Sequence, residues 1–290
     1  MPAAELDVTE ELVRRLLVEQ HPDLADLPLA LVANGWDNVI FRLGADFMAR
    51  MPRRRMAADL VLNEQRWLPA LSARLPLAVP TPLRVGTPGG DYPWNWSICP
   101  WFDGDVAADV ALTDPHREAT ALGEFVAALH RDAPGDAPLN EFRGQPVGDL
   151  RERVVANVAR LGPIADPVEV LARFDEAAAV DEWSGPPQWL HGDLHSANVL
   201  VTDGSISAVI DFGDITSGDP AVDLAIGWML FDAVDREAFR RAAGDLDDAT
   251  WSRSIAWAVH FAVMYLLHSA DSARFERMGS SLLHRVLADR

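Results

Sequence analysis

Apolar positions along the first hundred residues change spacing several times, and each change marks an element. Thr9 precedes Leu12, Leu16 and Leu17, which is a capping residue ahead of one apolar helical face. Three short runs follow, Leu29 to Val32, Asn38 to Leu43 and Phe47 to Met51, with turn residues at Asn34-Gly35 and Gly44-Ala45-Asp46 between them. They read as strands joined by tight turns. Leu60, Val61, Trp67, Leu68 and Leu71 return to helical spacing over Ala57 to Leu71. A proline-rich stretch (Pro76, Pro80, Pro82, Pro88) then leads into a β-like run from Trp94 to Trp101.

Beyond Asp103-Gly104-Asp105 the pattern becomes mainly helical. Ala121, Leu122, Phe125, Val126 and Leu129 share one face of a helix predicted from Pro115 to His130. Ala133 to Gly148 is rich in Pro and Gly and reads as a loop or lid, and helical patterns resume over Asp149 to Leu161 and Val168 to Val180. Trp189 to Asp214 reads as strand, loop, strand and turn, and the chain is helical again from Val222. No internal repeat or low-complexity tract interrupts this order. The expected architecture is α+β, with a β-rich part over residues 1–98 and a larger helical part over 99–290.

Charge narrows the partners. Forty-four acidic residues against 25 basic ones give a net charge of −19, which repels nucleic acid and anionic membrane surfaces. The same acidity suits either a solvated surface or a cationic small-molecule partner. No run of about 20 apolar residues, the length a membrane helix needs, is present. The start of the chain lacks a basic segment followed by an apolar one, and the single cysteine, Cys99, has no internal disulfide partner. These features fit a cytoplasmic protein.

The chemistry concentrates in Trp189-Leu190-His191-Gly192-Asp193-Leu194-His195-Ser196-Ala197-Asn198-Val199-Leu200-Val201, followed by Ile210-Asp211-Phe212-Gly213-Asp214. Apolar strands flank a loop holding an Asp and, five positions later, an Asn; a second carboxylate stands at the end of the next strand. Phosphoryl transfer uses such a set: one carboxylate orients the attacking hydroxyl, while an amide oxygen and a second carboxylate bind the metal that bridges phosphates. A hairpin turning at Asp203-Gly204 connects the two segments. A competing reading takes His191-x-Asp193-x-His195 as zinc ligands. The other histidines (His21, His116, His130, His260, His268, His284) form no second paired cluster.

The pair His-Gly-Asp-Leu-His-Ser-Ala-Asn-Val-Leu and Ile-Asp-Phe-Gly-Asp resembles the signature of aminoglycoside phosphotransferases and is similar to the catalytic loop and magnesium motif of protein kinases. The resemblance implies a protein-kinase-like two-lobed fold, with Asp193 as catalytic base or hydroxyl-orienting group and Asn198 and Asp211 as Mg²⁺ ligands. Asp219-Pro220-Ala221-Val222-Asp223-Leu224-Ala225 extends it, and Asp223 is expected to brace the catalytic loop from a following helix. In the first lobe the resemblance places Asn34 to Leu43 as the hairpin over the nucleotide phosphates, with Asn38 a phosphate contact. Arg50 takes the place of the phosphate-pairing cation, and Glu64 fixes it by an ion pair. Arg53, Arg54 and Arg55 are a solvated turn or further phosphate contacts. Trp96 to Phe102 matches the linker that holds the base, with backbone groups from Ile98 to Trp101 at the purine edge.

The implied activity moves the γ-phosphoryl of ATP or GTP to a hydroxyl of a small molecule. A cationic aminoglycoside acceptor agrees with the net acidity, which would make the enzyme an antibiotic-resistance kinase. Asp149, Glu152, Asp232 and Asp235 are candidate carboxylates for it, and Trp228 and Trp251 candidate stacking surfaces. Another hydroxylated acceptor (a macrolide, a sugar, choline or homoserine) uses the same donor residues. A third reading, a nucleotide-binding pseudoenzyme, has no need of the Asp193, Asn198 and Asp211 set.

Overall fold

The computed structural model describes residues 3–267 and 272–289; His268 lies outside them. The chain folds as two compact units. The first comprises residues up to Arg74, then Ala78–Asp103 and Asp211–Ile215; the second holds Leu75–Leu77, Gly104–Ile210 and Thr216 onward.

In the first unit, helix α1 (Glu10–Gln20) starts where expected, with Thr9 Oγ1 accepting the Leu12 N–H at 3.3 Å. Its buried stripe (Leu12, Val13, Leu16, Leu17) joins a core with Phe41, Leu43, Met51 and Trp96 from the sheet. That sheet contains β1 (Leu29–Asn34), β2 (Asn38–Leu43), β3 (Phe47–Pro52), β4 (Arg84–Gly86) and β5 (Trp96–Pro100). The strands are antiparallel in the order β1-β2-β3-β5-β4. Helix α2 (Arg55–Ser72) lies between β3 and β4 in sequence and carries Glu64 on its buried face.

Of the three arginines after β3, Arg55 is exposed as a solvated turn residue would be, while Arg53 and Arg54 are engaged within the protein. Arg53 is buried and donates to Asn34 Oδ1 at 2.7 Å and to the Gly35 carbonyl at 2.8 Å, while Arg54 pairs with Asp37. Together they fasten residues 34–37, the turn between β1 and β2. The Arg55 backbone N–H donates to Glu5.

The second unit is built around helices. Its elements are β6 (Asp105–Val106), α3 (Pro115–Leu129), α4 (Arg151–Val158), α5 (Pro167–Ala178), β7 (Gln188–Leu190), β8 (Val199–Thr202), β9 (Ser205–Val209) and β10 (Thr216–Gly218). Then come α6 (Ala221–Leu224), α7 (Ile226–Leu230), α8 (Ala233–Ala242), α9 (Asp248–Leu267) and α10 (Ala273–Ala288). Helix α9 is apolar on nearly every side and packs against α5, α6 and α10, making it the spine of the core. Within that core Arg253 of α9 is 2 % exposed and forms a two-pronged pair with Asp219, at 2.7 and 3.2 Å. The helix expected from Asp149 begins as a 3₁₀ turn, Val147–Leu150, and only α4 is α-helical. Among the described residues no helix is long and apolar enough to cross a membrane.

Candidate active site

Two short ladders set the ends of the loop from His191 to Asn198. β7 pairs with β10 at its start, and β8 pairs with β6 and β9 at its finish. The β8–β9 turn uses Asp203 and Gly204, both at positive φ (52° and 77°), the geometry of a two-residue hairpin. Asp223, fully buried on α6, supports the loop from beneath: its carboxylate accepts the His191 N–H at 2.7 Å and the Gly192 N–H at 2.9 Å, and faces His130 Nε2 at 3.2 Å. The bracing role expected for Asp223 is thus present as geometry.

Within the loop, Asp193 Oδ1 accepts from Arg143 at 3.0 Å, and Oδ2 lies 3.4 Å from His195 Nε2. Burial by itself would raise the Asp193 pKa, but His195 and Arg143 outweigh it and hold the carboxyl well below the usual carboxylate range. Asp193 is therefore ionised across the neutral range. Asn198 donates Nδ2 to the Asp193 carbonyl at 3.0 Å, so its Oδ1 points away from that bond as an acceptor.

Arg143 has no counterpart in the sequence reading. It belongs to the Pro/Gly-rich segment after α3, its guanidinium lies 5.3 Å from the Phe261 ring, and Gly144 follows it at φ +69°. A Cβ on Gly144 would stand 2.6 Å from the Leu190 side chain, so the loop passes this point on glycine.

The zinc reading fails on the same geometry. His191 is fully buried, with Nε2 on the Ile210 carbonyl and Nδ1 accepting the Asp193 N–H; His195 Nδ1 accepts the Ala197 N–H. Both imidazoles are fasteners of the loop. Among the described residues no group of three His, Cys, Asp or Glu could hold a metal.

A second constellation sits in the β-rich unit. Arg50 on β3 is 5 % exposed and places Nη2 2.8 Å from Asp211 Oδ1 and 3.0 Å from Glu64 Oε1. Burial opposes the arginine charge, yet Glu64 and Asp211 together hold its pKa above the ordinary value. For Glu64 burial is the larger effect and raises the pKa, against the pull of Arg50. Asp211 itself adopts the left-handed conformation (φ 62°, ψ 65°), uncommon for a residue with a side chain. Gly213 comes so close to Arg50 that a Cβ would lie 3.1 Å from Nη2. Asn38 opens β2, is 9 % exposed, and has no hydrogen-bond partner for Oδ1 among the described residues.

The expected base-reading segment is largely engaged within the sheet. The Ile98 carbonyl accepts from Leu83 at 2.8 Å, and the Trp101 N–H donates to the Asp46 carbonyl at 2.8 Å. Pro100 has no N–H to offer. Neither the Ile98 carbonyl nor the Trp101 N–H is therefore open to a purine edge, because the residue leading into β4 takes up the first and the β2–β3 turn the second. The Trp101 side chain donates to Asp103 and lies 4.6 Å beneath the Arg42 guanidinium.

Several of the residues expected around an acceptor are engaged within the helical unit. Asp232 caps α8, accepting the Val234 and Asp235 N–H groups, and Asp235 faces His116. Trp228 is core, bonded to Ser254 and packed on Trp251. Asp149 and Glu152 are exposed on the 3₁₀ turn and α4.

Comparison with known proteins gives this geometry its context. No curated protein matches the chain. Among solved structures, the GDP complex of wild-type aminoglycoside 2'-phosphotransferase-IIIa aligns with a TM-score of 0.71 at 18 % identity, covering 97 % of this chain and 99 % of that one. A GDP and kanamycin complex of APH(2")-IIia gives 0.70 at 20 % identity, covering 96 % and 99 %. Macrolide 2'-phosphotransferase MphH from Brachybacterium faecium gives 0.60 at 23 % identity, covering 94 % and 97 %. The fold is shared with these kinase-like enzymes, a sheet-bearing N-terminal region followed by a helical C-terminal one. Residues 28–257 match the family described as the phosphotransferase enzyme family, APH, and the chain belongs to that family.

Proposed function

We propose that the protein transfers the γ-phosphoryl group of ATP or GTP to a hydroxyl of a small-molecule acceptor. The observation that carries this reading is the His191–Asn198 loop. It holds one ionised carboxylate, Asp193, between Arg143 and His195 and ties Asn198 to the same backbone. The β-rich unit serves as the nucleotide-binding lobe and the helical unit carries the catalytic loop and acceptor pocket.

The donor set fits Mg²⁺: Asn198 Oδ1 and the Asp211 carboxylate are hard oxygen ligands of the type that metal takes beside phosphates. When bound, Mg²⁺ neutralises charge on the transferring phosphoryl group. Arg50, kept charged and aimed by Glu64 and Asp211, binds phosphate oxygens, and the side-chain NH₂ of Asn38 donates to them beside the turn that covers them. With its pKa held low, Asp193 is a weak base in the ground state. Its work is to accept a hydrogen bond from the acceptor hydroxyl, aim the oxygen in line, and take the proton late.

An aminoglycoside acceptor is supported by the net charge of −19 and the family, and resistance to such an antibiotic would be its use. The test is nucleotide turnover with and without Mg²⁺, ATP and GTP run separately, over aminoglycosides, macrolides and small hydroxylated metabolites. Acceptor-stimulated turnover that yields a phosphorylated product supports the proposal. Nucleotide binding with no transfer to any acceptor class would favour a pseudoenzyme.

A further inference from the structure

The turn between β1 and β2 carries a single glycine, Gly35, beside Asn34, Trp36 and Asp37. Ordering such a turn loses conformational entropy, and its own sequence holds little to offset that loss. The offset comes from outside the turn. Arg53 Nη1 donates to Asn34 Oδ1 at 2.7 Å and to the Gly35 carbonyl at 2.8 Å, and the Arg53 N–H donates to the Asp37 carbonyl at 2.9 Å. Arg54 Nε donates to Asp37 Oδ1 at 2.6 Å. Asn34, Gly35 and Asp37 are thereby all tied to the end of β3, and Trp36 is left exposed between them.

The two arginines are held in turn. The Arg53 carbonyl accepts the Glu5 and Leu6 N–H groups at 3.0 and 3.2 Å, the Pro52 carbonyl accepts the Tyr92 hydroxyl at 2.9 Å, and the Arg55 N–H donates to Glu5 Oε2 at 3.1 Å. Arg53 is 8 % exposed, and among the described residues its guanidinium has no carboxylate partner: its acceptors are an amide and a carbonyl oxygen. Burying a charge on neutral acceptors is unfavourable, so a side chain that only filled this space would be apolar. What the charge supplies here is a grip on the turn. Arg50, which pairs with Glu64 and Asp211, lies three residues earlier on β3, so one strand sets both the phosphate-binding guanidinium and the clamp.

We infer that Arg53 and Arg54 are positioning residues of the nucleotide site: they shape the 34–37 turn before nucleotide arrives, so that it meets the phosphates already formed. The inference rests on the phosphotransfer reading and specifies what prepares its donor site. Preorganisation of this kind acts on affinity and not on the chemical step, because ordering of the turn no longer opposes binding.

Hydrogen exchange on the full chain reads the turn directly, with calorimetry for ATP and GTP affinity and steady-state transfer for kcat and KM. Wild type is compared with Arg53→Ala, Arg53→Lys and Arg54→Ala. In the wild type without nucleotide, the turn amides should be protected and should gain little when nucleotide is added. Arg53→Ala should speed their exchange at least about tenfold while peptides from α9 stay unchanged. It should weaken nucleotide binding about 10- to 100-fold, the loss of two charge-assisted hydrogen bonds, with kcat at saturating nucleotide within about threefold. Arg53→Lys should recover part of the affinity, and Arg54→Ala should lower it about three- to tenfold. Turn amides that exchange freely until nucleotide is added overturn the inference, as do affinities unmoved in both Ala variants. If Arg53→Ala unfolds and α9 loses protection as well, Arg54→Ala decides alone, and unchanged exchange and affinity there overturn the inference. Transfer by a wild type whose turn is unprotected removes the inference and leaves the phosphotransfer proposal intact. A protected, arginine-dependent turn in a protein that binds nucleotide but transfers to no acceptor does the reverse.

Discussion

Replacing Asp223 by Asn tests how the catalytic loop is held. In the wild type one fully buried carboxylate accepts two loop N–H groups, from His191 and Gly192, at 2.7 and 2.9 Å. Asparagine fills the same volume but turns one oxygen into an NH₂ donor. One loop N–H then faces a donor and loses its acceptor, at a cost of about 1–3 kcal/mol, while the other exchanges a charged acceptor for a neutral one, about 1 kcal/mol more. The expected destabilisation is about 2–4 kcal/mol. For a chain of this size each kcal/mol moves the melting temperature by about 2–4 °C, so a fall of roughly 5–15 °C should appear in a thermal melt. Because the displaced backbone carries Asp193 and Asn198, turnover should fall by about 10²-fold, the effect of an ångström of misplacement. Nucleotide affinity should change little. A melt within about 2 °C of wild type together with full turnover would refute the reasoning, since the brace would then contribute neither stability nor alignment.

Removing the partner of the catalytic carboxylate should be visible in the pH profile. Arg143→Ala lets the Asp193 pKa rise toward the ordinary value of about 4. The acid limb of kcat/KM therefore moves to higher pH, and Arg143→Lys restores part of the shift; an unmoved limb would contradict the assigned pairing. Arg253→Met strands the buried Asp219 carboxylate and should cost about 3–5 kcal/mol in a denaturant titration. Glu64→Gln removes one of the two carboxylates aiming Arg50 and should raise the nucleotide KM about tenfold, the scale of one weakened charged hydrogen bond, with kcat less affected. A KM that stays put would separate Glu64 from phosphate binding.

What the sequence disclosed follows from what is local. Helix α1, α3, and β1 to β3 announce themselves through apolar spacing and capping residues, and each begins within a residue or two of its expected place. The two- and three-residue strands β4, β6 and β10 have no period to detect, so they and the pairing they create were illegible. That is also why the engagement of Ile98 by Leu83 could not be anticipated: it depends on β4 joining the sheet. The Asp193, Asn198 and Asp211 pattern was readable because its residues fall in two short contiguous segments. Arg143 was not, being fifty positions from Asp193 in a loop whose composition signals only irregularity.

The central claim is that Asp193 acts on the acceptor hydroxyl during phosphoryl transfer, and Asp193→Asn tests it most directly. Single-turnover transfer would be followed by rapid quench, with nucleotide affinity measured on the same protein. Transfer should slow by about 10²–10⁴-fold while nucleotide binding stays within about twofold of wild type. Transfer at the wild-type rate would contradict it and place the chemistry on another group.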